Sequence, residues 1–377
     1  MKKQLNSFDL YVLAGELNDM LENARVNKIY QIAEKELKIK LHTSGGSKDL
    51  MITPDYMCVS MYSRIVPGQP TSFAMQLRKH LEGGFIRKIS MHEFDRIIEF
   101  EIEKASRWTL ISELFGKGNV ILCDSQRRIA GLLESRKWKD RELWAGREYK
   151  YPPGGANPLE IERERFVSIL KSSGKDLVRT MASDVGLGGF YAEELCLSAN
   201  LDKNLNPGGL GDREVELLYD VFCNLVDYFK QERKKNFKIV YKGGEAIDVL
   251  PFESGTYSSG EFTCKEFGSF NDAVDEYFGE GVVKKSLGRG EEKYDQELKR
   301  LMGIEAKQKE TIENMNSEAV RYREGGDLIY QNLNAVEGII AEVRKKRKGM
   351  SDEEIVEYLK DSGIVVGLKG NDLELKL

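Results

Sequence analysis

The chain has 377 residues, of which 41% are hydrophobic and 32% charged, with a formal net charge of −5. That length calls for more than one core, and the acidic balance excludes a polycation that coats nucleic acid without preference. No apolar run reaches membrane-spanning length, and Met1-Lys2-Lys3-Gln4 leads into an amphipathic helix instead of a signal-peptide core, so a cytoplasmic location is expected. The cysteines Cys58, Cys123, Cys196, Cys223 and Cys264 form no Cys-x-x-Cys pair, and His42, His80 and His92 have no metal-ligand spacing. Neither a metal site nor a cofactor is expected.

Leu10, Leu13, Leu17, Met20 and Leu21 recur at helical spacing and predict a helix from Phe8 to about Asn23, with Ser7 as its N-cap. Asp9 falls in its first turn, where an acid complements the helix dipole. Alternation predicts strands over Val26 to Ile32, Leu37 to Leu41 and Leu50 to Thr53, an antiparallel meander. After Pro67-Gly68-Gln69-Pro70, Thr71 or Ser72 caps a second helix whose last turns carry Arg78, Lys79 and His80. Basic residues there favour the dipole without any phosphate.

More strands follow from Phe85 to Asp124. If Phe94 to Ile102 is extended, Phe94, Ile98, Phe100 and Ile102 share a face that Arg96 interrupts, and Asp95 joins Glu99, Glu101 and Glu103 on the other. Spacing alone favours a structural ion pair near a strand start. Glu113-Leu114-Phe115-Gly116-Lys117-Gly118-Asn119 reads as a hairpin whose tip carries a cation, Lys117, and an amide, Asn119. Arg136-Lys137-Trp138-Lys139 interleaves cations with an aromatic, a mixture that stacks and pairs with RNA and is equally common at a domain edge.

A helical segment is expected from about Pro158 to Lys235. Val185-Gly186-Leu187-Gly188-Gly189 between two short helices reads as a helix-hairpin-helix element, in which Gly186 and Gly188 let backbone amides approach phosphate; a plain helical hairpin is the alternative. From Asp212, Leu217, Leu218, Val221, Phe222, Leu225, Val226 and Phe229 form an apolar stripe expected to be core. The strands after Phe237 are too few to stand alone and are expected to rejoin the first sheet unit, with the helical segment inserted between and Asn271 to Phe278 a short helix.

Tyr294, Leu298, Leu301, Glu305, Gln308, Ile312, Met315, Ala319, Tyr322, Gly326, Ile329, Leu333, Val336, Ile340 and Val343 step by four and three, a sustained heptad. At roughly 1.5 Å per residue this arm would reach on the order of 80 Å, with a kink expected at Gly325-Gly326 and a partner helix required by the seam. Arg344, Lys345, Lys346, Arg347 and Lys348 form a cationic run at its end, before a short helix, Asp352 to Lys360, and two strands, Ile364 to Leu368 and Leu373 to Leu377.

Six segments in order, Asn6-Ser7-Phe8-Asp9, Lys28-Ile29-Tyr30-Gln31, Leu77-Arg78-Lys79-His80-Leu81, Asp95-Arg96-Ile97-Ile98, Glu113 to Asn119 and Tyr151-Pro152-Pro153, resemble the NFACT family of ribosome quality-control factors, in an archaeal-type form. The resemblance extends to Gly326-Asp327-Leu328-Ile329-Tyr330-Gln331-Asn332-Leu333 in the arm. It implies an α+β fold: an antiparallel β-sheet N-terminal domain (1–156 and 236–285) similar to that of formamidopyrimidine-DNA glycosylases, an inserted helix-hairpin-helix domain (157–235), a coiled-coil arm (286–348) and its distal tip (349–377). A full-length member has a returning helix and a C-terminal RNA-binding domain, so the chain is expected to be a truncated form whose seam pairs with a second copy.

The implied function is non-enzymatic. Such a factor binds obstructed large ribosomal subunits carrying peptidyl-tRNA and recruits tRNA for template-free tailing of the stalled peptide, mainly with alanine. The positions matching the family's required residues are Asp9, Asp95 and Arg96, expected to form one tRNA-binding surface. Further RNA contacts are expected from Arg78, Lys79, His80, Lys117, Asn119, Gly186 and Gly188, and ribosome contact from Arg344 to Lys348. A glycosylase-like lyase and a fibronectin-binding or adhesion scaffold are the alternatives. The lyase lacks support in the start Met1-Lys2-Lys3, which has no N-terminal proline amine, and the scaffold in the lack of an export signal.

Overall fold

The structure, a computed structural model, describes residues 1–139, 141–231 and 236–377, the side chains of 280–300 and 362 excepted. Contacts divide it into two units, Met1–Ser286 and Leu287–Leu377. Among the described residues no helix is long and apolar enough to cross a membrane.

The first unit is built on a nine-stranded antiparallel sheet. Helix α1 (Ser7–Leu21) precedes β1 (Arg25–Ala33), β2 (Glu36–Thr43), β3 (Gly46–Ile52) and β4 (Met57–Ser60); α2 (Ser72–Leu81) precedes β5 (Phe85–Met91), β6 (Ile97–Glu103), β7 (Arg107–Glu113), β8 (Asn119–Cys123) and β9 (Ile129–Leu132). The strand order β4-β3-β2-β1-β5-β6-β7-β8-β9 shows two meanders joined back to back at β1 and β5. The junction is reciprocal across a step of sixty residues: Asn23 N donates to Ile86 O and Gly83 N to Val26 O, both at 2.8 Å, while Val26 N donates to Gly84 O at 2.8 Å and Ile86 N to Ala24 O at 2.9 Å. Asn23 and Gly83 both end their helices with positive φ, 62° and 87°, and both strands shift register two residues in, at Val26/Lys28 and Ile86/Lys88. Leu21-Glu22-Asn23-Ala24-Arg25-Val26-Asn27-Lys28-Ile29 against Leu81-Glu82-Gly83-Gly84-Phe85-Ile86-Arg87-Lys88-Ile89 is the matching duplication in sequence. Accordingly α1 packs on β5 and α2 on β1.

Helix α1 is capped by Asn6, one residue before the expected Ser7: its side chain accepts from Asp9 N while Asp9 accepts from Asn6 N, a reciprocal box. The expected strand from Phe94 begins only at Ile97, because Glu93 takes a positive φ of 46° and turns the chain. The pair β10 (Arg136–Lys137) and β11 (Glu142–Leu143) makes a small separate hairpin.

Helices α3 (Arg163–Ser172), α4 (Leu177–Arg179), α5 (Gly189–Ser198) and α6 (Asp212–Lys230) follow, α4 running on through a wider turn over Thr180–Asp184. On α6 Leu218, Phe222, Val226 and Phe229 are buried as expected, whereas Leu217 is exposed. The later strands rejoin the first unit, as a separate sheet and not as part of the nine-stranded one. Strands β12 (Phe237–Lys242), β13 (Glu245–Leu250) and β14 (Phe262–Phe267) form their own sheet, in the order β13-β12-β14. The third strand supplies the ladder expected from the large sheet, and its alternation is hidden because it is mostly exposed. Both sheets and the four helices share one core, which Phe270, Ala273, Val274 and Tyr277 join from the first turns of α7 (Phe270–Gln331).

In the second unit the heptad positions Leu301, Ile312, Met315 and Tyr322 are exposed; Tyr294 and Leu298 lie outside the described side chains. Helix α7 runs unbroken through Gly325-Gly326. It ends instead at Asn332, whose side-chain amide donates to Leu328 O at 3.0 Å, before α8 (Leu333–Lys346). Helices α8 and α9 (Asp352–Leu359) and the hairpin of β15 (Val365–Lys369) and β16 (Asp372–Leu375) enclose a small core of Ile339, Val343, Ile355, Leu359 and Val365.

The β7–β8 turn shows how tightly the large sheet is closed. Gly118 has φ +67°, and a Cβ there would sit 2.6 Å from Pro54 Cβ. Gly118→Ala should therefore lower stability by about 2 kcal/mol, read as a lower urea midpoint at unchanged slope.

Candidate nucleic-acid interface

Three elements expected to carry the site meet on one side chain. Phe8 in α1 is fully buried and packs edge-on against Phe94 (ring centroids 4.7 Å apart) and tilted against Tyr191 of α5 (4.4 Å) and Phe229 of α6 (4.5 Å). The start of α1, the turn from His92 to Arg96 and the helix after the Gly186–Gly188 hairpin are thus held together.

The three expected tRNA-binding side chains do not share one surface. Asp9 is fully buried and turned inward, its Oδ2 2.9 Å from Lys2 Nζ; Lys2 also reaches Asp248 at 3.1 Å and donates to Val249 O at 2.7 Å. Its Oδ1 has no hydrogen-bond partner. Burial raises the Asp9 pKa against the opposing pull of Lys2. Burial alone would lower the Lys2 pKa, but Asp9 and Asp248 outweigh it and raise it. A permanently charged ammonium is the opposite of what a Schiff-base nucleophile needs. Asp9 is a link between α1, the amino terminus and β13, and no solvent-borne ligand reaches it.

Asp95 and Arg96 remain at the surface, half-buried in the turn. Neither forms the structural ion pair that spacing favoured: among the described residues no opposite charge lies within salt-bridge distance of either, and their backbones alone are tied down, Asp95 N to His92 O at 3.0 Å and Leu114 N to Arg96 O at 2.8 Å. Burial raises the Asp95 pKa against the pull of His92 and Arg96, and lowers that of Arg96 against the pull of Asp95, as expected for charges partly removed from water with incomplete compensation.

Around the turn the structure adds residues to which spacing assigned no role. Tyr151 stacks on His92 with ring centroids 3.4 Å apart at 6°, and its hydroxyl donates to Glu99, which also holds Arg127 through two bonds of 2.9 and 3.2 Å. The chain from Tyr151 then passes Glu93 at Gly154 and reaches Gly186, where a Cβ would collide with the Ala156 carbonyl oxygen. Beneath it, buried Glu113 receives two bonds from Arg141 (2.7 and 3.1 Å) and one from the Tyr149 hydroxyl (2.9 Å). The only hint in the sequence was Tyr151-Pro152-Pro153.

The remaining expected contacts divide. Lys79 and Lys117 are exposed. Arg78 is committed to the fold, donating to Ile29 O at 2.7 Å and lying over Tyr30. His80 packs on Trp108 at 4.2 Å, and burial with nearby Lys79 and Lys104 lowers its pKa. Asn119 is buried, its amide bonded to Glu134 O at 2.9 Å and its carbonyl oxygen to Glu134 N at 3.1 Å, so it ties the start of β8 to the chain leaving β9 and is not available to RNA. Gly186 and Gly188 take φ of +84° and +75°, and Gly188 caps α5. In the second unit Arg344, Lys345 and Lys348 are exposed, while Lys346 lies over Tyr358 and Arg347 is held by Asn371 (3.2 Å) and Asp352 (3.6 Å).

Residues 6–368 match the model of the NFACT N-terminal and middle domains, and the chain belongs to the NFACT family. It is 31% identical over 376 residues to the Archaeal Rqc2 homolog aRqcH of Methanocaldococcus jannaschii, covering 96% of this chain and 55% of that protein. It is 25% identical over 366 residues to the ribosome quality control complex subunit NEMF of Homo sapiens, covering 91% and 34%. The chain thus spans about half the length of the first relative and a third of the second. The fold is similar to the N-terminal part of the fibronectin/fibrinogen-binding protein from Streptococcus suis (TM-score 0.55, 24% identity, 74% of this chain and 100% of that one) and to the fibrinogen binding protein from Staphylococcus aureus (0.59, 19%, 72% and 98%).

Two outcomes follow from this geometry. Lys2→Met leaves two buried carboxylates facing each other and should cost about 3–5 kcal/mol in urea unfolding, with Asp9→Ala comparable; a loss within about 0.5 kcal/mol would contradict the buried link. The lowered folded-state pKa of His80 means that its contribution to stability is full above its ordinary value of 6.5 and is lost as pH falls through the lower folded value. An NMR titration of the ring with a midpoint above 6.5 would exclude that packing.

Proposed function

We propose that this protein is a ribosome-associated quality-control factor of the cytoplasm that binds tRNA on large ribosomal subunits obstructed by peptidyl-tRNA and supports template-free tailing of the nascent peptide, with alanine as the added residue. Family membership supports the class. The observation that carries the site is the turn at Asp95-Arg96: two half-buried charges without partners, on a backbone fixed by Phe94 against Phe8. A guanidinium already stripped of part of its water and aimed at no carboxylate is suited to grip a phosphate or a base edge through two parallel N–H bonds, with Asp95 accepting from a base amine. Such a factor positions tRNA and leaves peptidyl transfer to the ribosome.

Within this reading, residues 1–156 and 236–285 are a glycosylase-like N-terminal domain, 157–235 the helix-hairpin-helix domain, 286–348 a coiled-coil arm and 349–377 its tip. The exposed Arg344, Lys345 and Lys348 face the ribosome, and the exposed apolar seam of α7 pairs with another helix, supplied by a second copy in this form.

Arg96→Ala and Asp95→Ala should each weaken tRNA binding about 5-fold to 150-fold, the worth of one good bidentate pair, while moving the urea midpoint by no more than about 0.5 kcal/mol equivalent. Co-sedimentation with purified large subunits and tRNA binding by filter assay measure this. Unchanged association of both variants would sink the assignment.

A further inference from the structure

The small hairpin of β10 and β11, with the turn that follows it, borders an open cleft of about 600 Å³ whose lining includes Lys137, Trp138, Lys139, Arg147, Glu148 and Lys150. Lys139, Arg147 and Lys150 are exposed, and among the described residues no carboxylate lies within ion-pair distance of them; Lys137 is held by Glu142 at 2.6 Å. Trp138, which lines the cleft, remains 37% exposed. An exposed indole beside exposed cations offers a stacking surface and charge together.

The cleft is a built surface. Arg141 lies 4.6 Å from the Trp138 ring and is itself fixed by its double bond to buried Glu113, so the hairpin is bolted to the end of β7. Arg141 also donates to Lys150 O at 3.2 Å, and Lys150 adjoins Tyr151, which stacks on His92 in the Asp95-Arg96 turn. The cleft therefore adjoins the candidate interface through a rigid chain of contacts.

We propose that this cleft is a second RNA-binding site that takes the phosphodiester backbone of an unpaired strand, with Lys139, Arg147 and Lys150 on phosphates and an indole under an unstacked base. The pairing of exposed cations, without an ion-pair partner among the described residues, with a partly exposed indole favours RNA over an acidic peptide, which supplies charge but no ring to stack. The proposal rests on the tRNA-binding reading and extends it from one turn to a continuous track.

The test uses the full chain and two probes, bulk tRNA and an oligo(U) strand, each titrated over a range of salt. The variant carrying Lys139→Gln, Arg147→Gln and Lys150→Gln should bind both probes at least about tenfold more weakly, with the slope of log K against log salt reduced by about 2, three contacts at about 0.7 each. Trp138→Ala should cost at least about fivefold on oligo(U). Circular dichroism and urea midpoints of these surface variants check that the fold is retained. Unchanged affinity and slope in the triple variant overturn the cleft and leave the Arg96 site standing. Equal loss on both probes, with no preference for tRNA and no effect of Arg96→Ala, keeps the cleft and overturns the tRNA reading. Binding of an oligo-glutamate peptide as tight as oligo(U) overturns the assignment to nucleic acid.

Discussion

The ring of Phe8 is the constraint on which the first unit depends. Burying a side chain of that size stabilises by about 2–3 kcal/mol, and each well-oriented aromatic pair adds about 0.5–1.5 kcal/mol. Its three partners, Phe94, Tyr191 and Phe229, belong to the turn between β5 and β6, the helix after the glycine hairpin and the long helix α6. One side chain thus fixes the distance between parts of the chain separated by more than two hundred residues. The turn at Asp95-Arg96 is placed by the residue before it, so its charges need do no structural work.

The charges of the unit sort themselves by how burial is compensated. Lys2 with Asp9 and Asp248, and Arg141 with Glu113 and the Tyr149 hydroxyl, are removed from water and answered by opposite charge or hydrogen bonds. Glu134 is answered by Arg136 and Lys35, which draw its pKa down to about 2. Asp95 and Arg96 are half-removed and incompletely answered. Burial outweighs the pull of His92 and Arg96 on Asp95 and of Asp95 on Arg96, so this pair is answered less fully than the others.

Strands and helices of the body were legible because burial on one face imposes the period of two or of three and four, as on α1, β2 and α6. What sequence could not show was direction and partnership. Asp9 and Asp95 are both acids near element starts, yet one turns into the core because Lys2 lies there and the other stays out. Asn119 looked like a free amide at a hairpin tip, and ties the start of β8 to the chain leaving β9 instead. The heptad of α7 was plain in sequence, but periodicity states only that a seam exists, and Asn332 broke the helix where two glycines had been expected to do so.

The duplication across β1 and β5 also relates two turns. The first meander turns at Glu34-Lys35 in two residues, and Lys35 is already engaged by Glu134 at 2.6 Å. The second meander turns over five, His92 to Arg96, and it is within this longer turn that the free charges lie. The backbone is therefore nearly two-fold symmetric while its chemistry is not. The two turns that the duplication relates are thus not equivalent: one is closed by the Lys35–Glu134 ion pair, and the other carries two charges with no ion-pair partner among the described residues.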